Sequence, residues 1–357
     1  MPLTRKAYRA AILHSIADPA EVGIEASYEY FEDGLLVIDN GQISALGHAS
    51  DLLPTLPADI DVTHYQDALI TPGLIDTHIH LPQTGMVGAY GEQLLDWLNT
   101  YTFPCESQFA DKAHAEEVAG IFIKELLRNG TTTALVFGSV HPQSVNAFFE
   151  AAEKLDLRMI AGKVMMDRNA PDYLTDTAES GYQESKALIE RWHGKGRLHY
   201  AVTPRFAPTS TPEQLALAGQ LLGEYPDLYM QTHISENKQE VEWVKALFPE
   251  RNGYLDVYDH YKLLGERSVF AHGVHLCDDE CARLAETGSA VAFCPTSNLF
   301  LGSGLFNLPM AEKHKLNVGL GTDVGGGTSF SLLQTLNEAY KVMQLQGARL
   351  SPFKSLY

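Results

Sequence analysis

From Thr71 onward, short apolar runs alternate with longer amphipathic stretches. Eight of these runs have the composition of buried strands: "GLIDTHI", "TTTALVF", "RMIAGKVMM", "LHYAVTP", "LYMQTHI", "SVFAHG", "AVAFC" and "LNVGLGTD". Stretches such as "EEVAGIFIKELLRNG" and "SLLQTLNEAYKVMQLQ" have helical spacing. Nearly continuous apolar strands are typical of parallel sheets covered on both faces. The pattern predicts an α/β fold, a (β/α)8 TIM barrel, with a doubly wound open sheet as the alternative.

The stretch before this alternation, residues 1–68, has the pattern of short strands instead. Within it, "GLLVIDNGQISALG" contains two apolar runs joined through Asn40 and Gly41. This pair indicates a hairpin, because both residue types accept positive φ in a tight turn. We therefore predict two domains, a small β-domain over residues 1–68 and the barrel over residues 69–357.

The charge balance narrows the classes of partner. Lysine and arginine total 26 against 45 acidic residues, which gives a formal net charge of −19. Nucleic acid and anionic membrane surfaces both require basic patches, so we expect neither as a partner. The cysteines form no C-x-x-C pair, which favours reduced thiols in a cytoplasmic protein. No apolar stretch reaches the roughly 18 residues of a membrane helix.

Ionisable residues end four of the predicted strands, at the side of a barrel where functional groups collect. His78 and His80 end the first strand and face one way, since alternate strand residues share a face. His233, His272 and Asp323 end the fifth, sixth and eighth strands. A lone histidine is more often a satisfied or surface residue, and an aspartate before glycines is often a turn residue. Several imidazoles with one carboxylate, and no cysteine, favour a catalytic divalent metal site that keeps a water.

Glu236 follows His233 by three residues, so it opens the loop or helix after the fifth strand. A carboxylate at this position could carry a proton between water and a substrate. It could also be an ordinary acidic residue at a helix N-terminus, where the helix dipole favours negative charge. The two interpretations are compatible.

Taken together, these motifs resemble the amidohydrolase superfamily and, within it, the family that deaminates guanine. The first-strand motif is "PGLIDTHIH", and "LLDWLNTYTFPCE" follows it. The later strand ends are "TPRFAPT", "THISENKQEVEWVK", "FAHGVHL", "FCPTSNLFLGSG" and "GLGTDVGGG". The resemblance covers essentially the whole chain, and the order and spacing of the motifs are more specific than any one of them.

The resemblance implies a role for each candidate residue. It implies that the metal ligands are His78, His80, His233 and Asp323. It implies that the catalytic residues are Glu236, His272 and Asp323, with Glu236 as proton shuttle and His272 orienting the attacking water. It implies that the substrate-binding residues are Gln83, Arg205, Phe206, His233 and Glu236. Read without the resemblance, Arg205 could be an exposed arginine, Phe206 a core phenylalanine and Gln83 a loop glutamine.

The implied reaction is hydrolysis of the C2 amine of guanine to xanthine and ammonia. A bound divalent metal lowers the pKa of water from 15.7 to about 7, which provides hydroxide for attack on C2. We expect one such metal, zinc, with iron or manganese as alternatives, because imidazole and carboxylate accept several metals. The forked donor of Arg205 suits the C6 carbonyl of guanine, Phe206 offers an apolar face, and Gln83 can pair with ring nitrogens.

Two further expectations follow from the resemblance, and the alternatives to it stay open. The family carries a C-terminal stretch beyond Tyr357 that completes a β-sandwich-like small domain, so we expect that part to be missing here. We expect a homodimer. The alternatives are an amidohydrolase acting on a pterin, a triazine or another purine, and a non-catalytic or truncated, inactive relative.

Overall fold

A computed structural model describes residues 5–90 and 94–357, so Gly91 and the first residues of the predicted small domain lie outside the described residues. The chain forms two compact units. The first unit comprises residues up to Gly73 together with Arg349–Tyr357, and the second comprises Leu74–Ala348. The predicted boundary at residues 68/69 lies within the last strand of the first unit. The division into a small β-domain over residues 1–68 and a barrel domain over residues 69–357 stays a prediction.

The first unit is built on one four-stranded sheet in its described residues. The strands are β1 (Arg5–Ser15), β2 (Tyr28–Asp39), β3 (Gln42–His48) and β4 (Val62–Ile70). They lie in the order β3-β2-β1-β4, with β1 antiparallel to β2 and parallel to β4. Asn40 and Gly41 join β2 to β3 with φ of 50° and 79°, which confirms the predicted hairpin.

Short helices complete this unit. They span Pro19–Val22, Ile24–Ala26, Ala49–Leu52, Leu53–Thr55 and Pro352–Leu356. The helix Pro352–Leu356 packs on β2 through Phe353, whose ring stacks on that of Tyr28 with centroids 4.5 Å apart. Lys354 Nζ adds an ion pair to Asp18 at 2.7 Å. These contacts explain why the C-terminal residues belong to the first unit and not to the second.

The second unit is a parallel barrel. Its strands are β5 (Leu74–His80), β6 (Thr131–Phe137), β7 (Arg158–Gly162), β8 (Val164–Met165), β9 (Leu198–Pro204), β10 (Tyr229–Ile234), β11 (Ser268–His272), β12 (Ala290–Phe293) and β13 (Asn317–Leu320). The order is β5-β6-β7-β9-β10-β11-β12-β13, and the two-residue β8 pairs with β9. "RMIAGKVMM" thus forms two strand segments with Lys163 between them.

Hydrogen bonds between the first and last strands close the ring. Thr77 Oγ1 donates to Leu320 O at 2.8 Å, and Asp323 N donates to His78 O at 2.9 Å. An open, doubly wound sheet would leave these two edges apart. The (β/α)8 barrel predicted from the apolar runs is therefore confirmed and the open-sheet alternative is wrong.

Helices cover the barrel between its strands. The α-helices span Leu94–Trp97, Phe103–Ser107, Lys112–Arg128, Pro142–Glu153, Ala178–Trp192, Pro212–Glu224, Lys238–Leu247, Tyr254–His260, Asp278–Glu286, Pro295–Phe300, Leu308–Lys313 and Leu332–Leu345. A π-helix spans Leu98–Thr102, and 3-10 turns span Leu81–Met86, Gln108–Ala110, Asp172–Leu174 and Ala207–Thr209. Within the described ranges, no helix is both long and apolar enough to cross a membrane.

Candidate metal centre and adjoining pocket

Two histidines of β5 and one aspartate after β13 form the centre of the site. His78 and His80 are buried and their Nε2 atoms are 3.2 Å apart. Asp323 Oδ1 lies 3.1 Å from Nε2 of His78 and 3.3 Å from Nε2 of His80. The strand period therefore places both rings on one face, as predicted, and barrel closure brings the aspartate to them.

His233, at the end of β10, completes this group. Its Nε2 atom lies 3.3 Å from Nε2 of His80, while its Nδ1 atom is 2.7 Å from the carbonyl oxygen of Arg205. Nδ1–H donates to that carbonyl, so Nε2 keeps a free lone pair directed at the other rings. Burial lowers the pKa of His78 to about 3 and that of His233 well below its ordinary value. Both rings are therefore neutral, which is the form that binds metals.

The donor set fits a divalent cation. Tetrahedral zinc with Zn–N distances of about 2.0–2.1 Å places ligand nitrogens roughly 3.3–3.4 Å apart. The separations of 3.2 Å and 3.3 Å between these Nε2 atoms agree with that value. The Nε2 atoms of His78, His80 and His233 and Oδ1 of Asp323 could hold a cation between them. Among the described residues, the groups of side chains that could hold a metal ion are His78 with His80 and Asp323, and His78 with His233 and His272, and neither contains a thiol.

His272 lies beside this group and is oriented by Asn298. Its Nδ1 atom is 2.9 Å from Asn298 Oδ1, which accepts the Nδ1 proton. Its Nε2 atom is 3.4 Å from Glu236 Oε2 and 3.9 Å from Asp323 Oδ2. Burial opposes protonation, but the two carboxylates outweigh it and raise the pKa of His272. This ring can therefore present an N–H to a group placed between the carboxylates.

Glu236 is aimed at the site by the turn that follows β10. Ser235 adopts a left-handed backbone with φ of 48°, and Glu240 Oε2 accepts the backbone N–H of Glu236 at 2.8 Å. Ser303 Oγ donates to Glu236 Oε1 at 3.3 Å. Burial raises the pKa of Glu236 to about 7, so this carboxyl group can hold or release a proton near neutral pH. The capping glutamate of the following helix is Glu240, so Glu236 is not the cap.

Asp323 owes its position to the glycine-rich loop after β13. It has φ of 50°, and Gly327 N returns to the Asp323 carbonyl in a tight turn. A side chain at Gly327 would meet the carbonyl oxygen of Thr322 at 1.8 Å, so only glycine fits there. Asp323 is therefore both a turn residue and a member of the site. Despite its burial, the hydrogen bond with His78 holds the pKa of Asp323 well below its usual range.

Sequence reasoning missed Asp76, a fully buried carboxylate within β5. It accepts the backbone N–H of His78 at 3.2 Å and that of Thr322 at 3.0 Å. It thereby fixes β5 against the chain that carries Asp323. Burial raises the pKa of Asp76 to about 7. The signal was visible as a charged residue inside the apolar run "GLIDTHI", but its partner is 246 residues away.

A pocket opens directly onto the donor group. The structure brings Gln83, Arg205 and Phe206 into its wall, together with His80, His233, Glu236, His272 and Asp323. Arg205 and Phe206 are 3% and 5% exposed, so the interpretation of Arg205 as a surface residue is wrong. The apolar lining that the sequence did not identify is Leu94, Trp97, Leu98 and Leu301. The pocket therefore combines apolar faces with charged and hydrogen-bonding groups, a lining that suits a flat heterocycle.

Comparison with known proteins agrees with this geometry. The amidohydrolase family model matches residues 69–355. The chain is 58% identical to guanine deaminase of Escherichia coli K12 over 99% of this chain and 81% of that protein, and 40% identical to the rat enzyme over 88% and 71%. The solved structure of the E. coli enzyme superposes with a TM-score of 0.96 at 59% identity, covering 98% of this chain and 81% of that one.

A second solved structure adds a ligand to the comparison. Guanine deaminase from C. acetobutylicum, with guanine bound in its active site, superposes with a TM-score of 0.91 at 28% identity. The match covers 99% of this chain and 84% of that one. The chain belongs to the amidohydrolase family and, within it, to the guanine deaminases.

Proposed function

We propose that this protein hydrolyses guanine to xanthine and ammonia in the pocket beside the His–Asp group. The observation that carries the proposal is the convergence of His78, His80, His233 and Asp323 next to a wall formed by Arg205 and Phe206. Relatives named guanine deaminase at 58% and 40% identity support the same activity.

We assign the metal to His78, His80, His233 and Asp323, and we propose zinc. A divalent cation there supplies the Lewis acidity that brings the pKa of water near 7. The neutral state of the buried imidazoles supports the assignment, because protonated rings cannot coordinate a cation.

The protein's own groups would carry the proton transfers. The N–H of His272 orients the water, and Asp323 Oδ2 accepts a proton as the water oxygen bonds to C2 of guanine. Protonated Glu236 donates to ring nitrogen N3, so negative charge does not accumulate in the ring. Glu236 takes back a proton from the new hydroxyl group on C2, and the proton held by Asp323 passes to the exocyclic amine, which makes ammonia the leaving group. Its departure breaks the C2–N bond and leaves xanthine.

Recognition is assigned to Gln83, Arg205 and Phe206. Arg205 donates to the C6 carbonyl of guanine and would face the amino group of adenine donor to donor. A site built on such a bond can reject analogues that lack the acceptor by about 10⁴ to 10⁵. Phe206 packs edge-on to Trp243 with centroids 6.2 Å apart, which supports its role as a fixed apolar wall.

Finer properties are also proposed. Free Cys105, Cys277, Cys281 and Cys294 support a cytoplasmic location, where thiols stay reduced. A homodimer is proposed from the family resemblance, and light scattering on a sizing column would test it.

The deciding experiment is metal analysis and turnover on one preparation. We expect about one equivalent of zinc per chain and equal amounts of xanthine and ammonia from guanine. A panel of adenine, a pterin and an aminated triazine should give far slower release of ammonia. A folded, metal-loaded preparation without guanine turnover would overturn the proposal.

A further inference from the structure

The carboxylate of Glu106 is buried, has no catalytic or metal-binding role in the proposed function, and contacts both Gln83 and Arg205, the polar side chains assigned to substrate recognition. Glu106 lies on the helix Phe103–Ser107 and is 1% exposed. Its Oε2 atom accepts from Arg205 Nη1 at 2.7 Å, and its Oε1 atom accepts from Gln83 Nε2 at 3.1 Å. Each carboxylate oxygen of Glu106 therefore accepts a hydrogen bond from one of the two substrate-recognition side chains.

These bonds fix the direction of the Gln83 amide. At its other end, Gln83 Oε1 accepts the backbone N–H of Gly325 at 3.0 Å. An amide whose oxygen takes a donor and whose nitrogen faces a carboxylate has one satisfactory orientation. Glu106 thus determines which donors and acceptors of Gln83 remain for a ligand.

The same helix holds the guanidinium of Arg205 in two ways. Glu106 pairs with it, and the ring of Phe103 lies with its centroid 5.5 Å from Arg205 Cζ. Phe103 and Glu106 are three residues apart and so share a helix face. The charged group is therefore positioned before a ligand arrives, which lowers the ordering cost of binding.

The ion pair between Glu106 and Arg205 also sets the net charge of the pocket wall that contains Arg205. A buried guanidinium without a partner is costly and attracts an anion in compensation. Because Glu106 cancels the charge of Arg205, the wall that meets the ligand is neutral overall. A neutral wall with directed donors suits an uncharged heterocycle with a carbonyl group.

We propose that Glu106 is a positioning and specificity-determining residue, which holds Arg205 and Gln83 in register and makes the pocket prefer neutral over anionic heterocycles. The inference rests on the proposed function only in taking the ligand to be a neutral purine.

The test compares Glu106→Gln with the unaltered protein. Glutamine keeps the shape but removes the charge. We expect kcat/KM for guanine to fall about 10²-fold, because a small displacement of the groups that position a substrate lowers the rate by about that factor. Most of the change should be in KM, since Arg205 and Gln83 contact ground and transition states alike. Calorimetry measures the affinity for urate, which is an anion at pH 7.5, and for hypoxanthine, which is neutral. The ratio of the urate affinity to the hypoxanthine affinity should be about tenfold higher in Glu106→Gln than in the unaltered protein.

Two further variants separate charge from position. Glu106→Asp keeps the charge and withdraws it by one methylene, so KM should rise while the urate-to-hypoxanthine ratio stays unchanged. Asp176→Asn is the matched control, because Asp176 is also a buried carboxylate that pairs with a cation, with Oδ2 at 2.5 Å from Lys163 Nζ. This pair does not line the pocket. Its ligand ratio should equal that of the unaltered protein, whatever its stability.

The outcomes are distinct. An unchanged ligand ratio in Glu106→Gln would overturn the charge assignment, and an unchanged KM in Glu106→Asp would overturn the positioning role. Should the glutamine variant not fold, the aspartate variant still decides the positioning role. Calorimetry needs no turnover, so if the unaltered protein fails to deaminate guanine, the dissociation constant of hypoxanthine replaces KM: it should rise in Glu106→Asp, and an unchanged value would overturn the positioning role. Failure to deaminate guanine would then count against the proposed function and not against Glu106.

Discussion

At the scale of single residues, the partner of one ring nitrogen separates the roles of the site histidines. His233 donates Nδ1–H to a backbone carbonyl, which leaves Nε2 as a donor of electrons to a cation. His272 donates Nδ1–H to Asn298 but has carboxylates near Nε2, which favour a proton there. The sequence shows identical side chains at these positions. Only the second contact of each ring distinguishes them, and it supports the proposed roles of His233 in metal binding and His272 in proton handling.

We predict that Glu236→Gln lowers kcat by about 10² to 10⁴-fold, because glutamine fills the same space but cannot carry a proton. Metal content should stay unchanged, since Glu236 is not assigned as a ligand. Steady-state kinetics with elemental analysis measures both. Glu242→Gln, at an exposed acid on the following helix, is the control and should keep its rate. A kcat within tenfold of the unaltered value would rule out the shuttle role.

We predict that His78→Ala loses bound metal as well as rate, because the remaining donors no longer surround a cation. Elemental analysis of the purified variant measures the loss. His64→Ala removes an exposed histidine of β4 and should keep the metal stoichiometry. Full metal occupancy in His78→Ala would show that the ligand assignment is wrong.

At the scale of elements, parallel strands carry the site residues to one end of the barrel, and left-handed residues then turn the chain. Ser235, His272 and Asp323 have φ of 48°, 73° and 50°, and they lie at or within three residues of the ends of β10, β11 and β13. Such backbone geometry is uncommon outside glycine and occurs where surrounding structure enforces it. It lets the chain leave the barrel while the side chain stays directed inward.

We predict that Gly162→Ala lowers the free energy of unfolding by about 3 kcal/mol or more. A Cβ at Gly162 would lie 1.8 Å from Ala201 O and 2.2 Å from Thr203 Oγ1, both on neighbouring β9. Gly120→Ala is the control, because no described atom outside its own helix backbone lies within 4 Å of the new methyl group. That change should stabilise the helix by about 0.5–1 kcal/mol. Urea unfolding followed by circular dichroism measures both, and equal effects would contradict this packing.

At the scale of the whole molecule, the site joins strands that are far apart in sequence. Its proposed donors come from β5, β10 and the loop after β13, so a bound cation would connect the first, middle and last parts of the barrel. Binding only to the folded state stabilises that state by mass action.

We predict that a chelator lowers the thermal midpoint by about 5 °C or more and that added zinc restores it. Differential scanning calorimetry before and after chelation measures the shift. The His78→Ala variant should show no response to either treatment. If the chelator left the thermal midpoint of metal-loaded protein unchanged, the group formed by His78, His80, His233 and Asp323 would not be the site of a bound cation.

The sequence by itself predicted the eight buried strands of the barrel and most of the candidate site residues. Apolar runs at regular spacing indicate buried parallel strands, because each face must be covered. The period of two within a strand places His78 and His80 on one face. The motifs around Arg205, Glu236 and Asp323 then indicate the family, which the comparisons confirm.

Only the tertiary structure decided which long-range pairs form. Glu106 meets Arg205 across 99 positions, and Asp76 meets Thr322 across 246, and no local pattern encodes such distances. Likewise, "RMIAGKVMM" reads as one strand, but its continuity is broken where buried Lys163 pairs with Asp176. Local periodicity reports which face a residue occupies, whereas ring closure and packing decide which charges share a buried space.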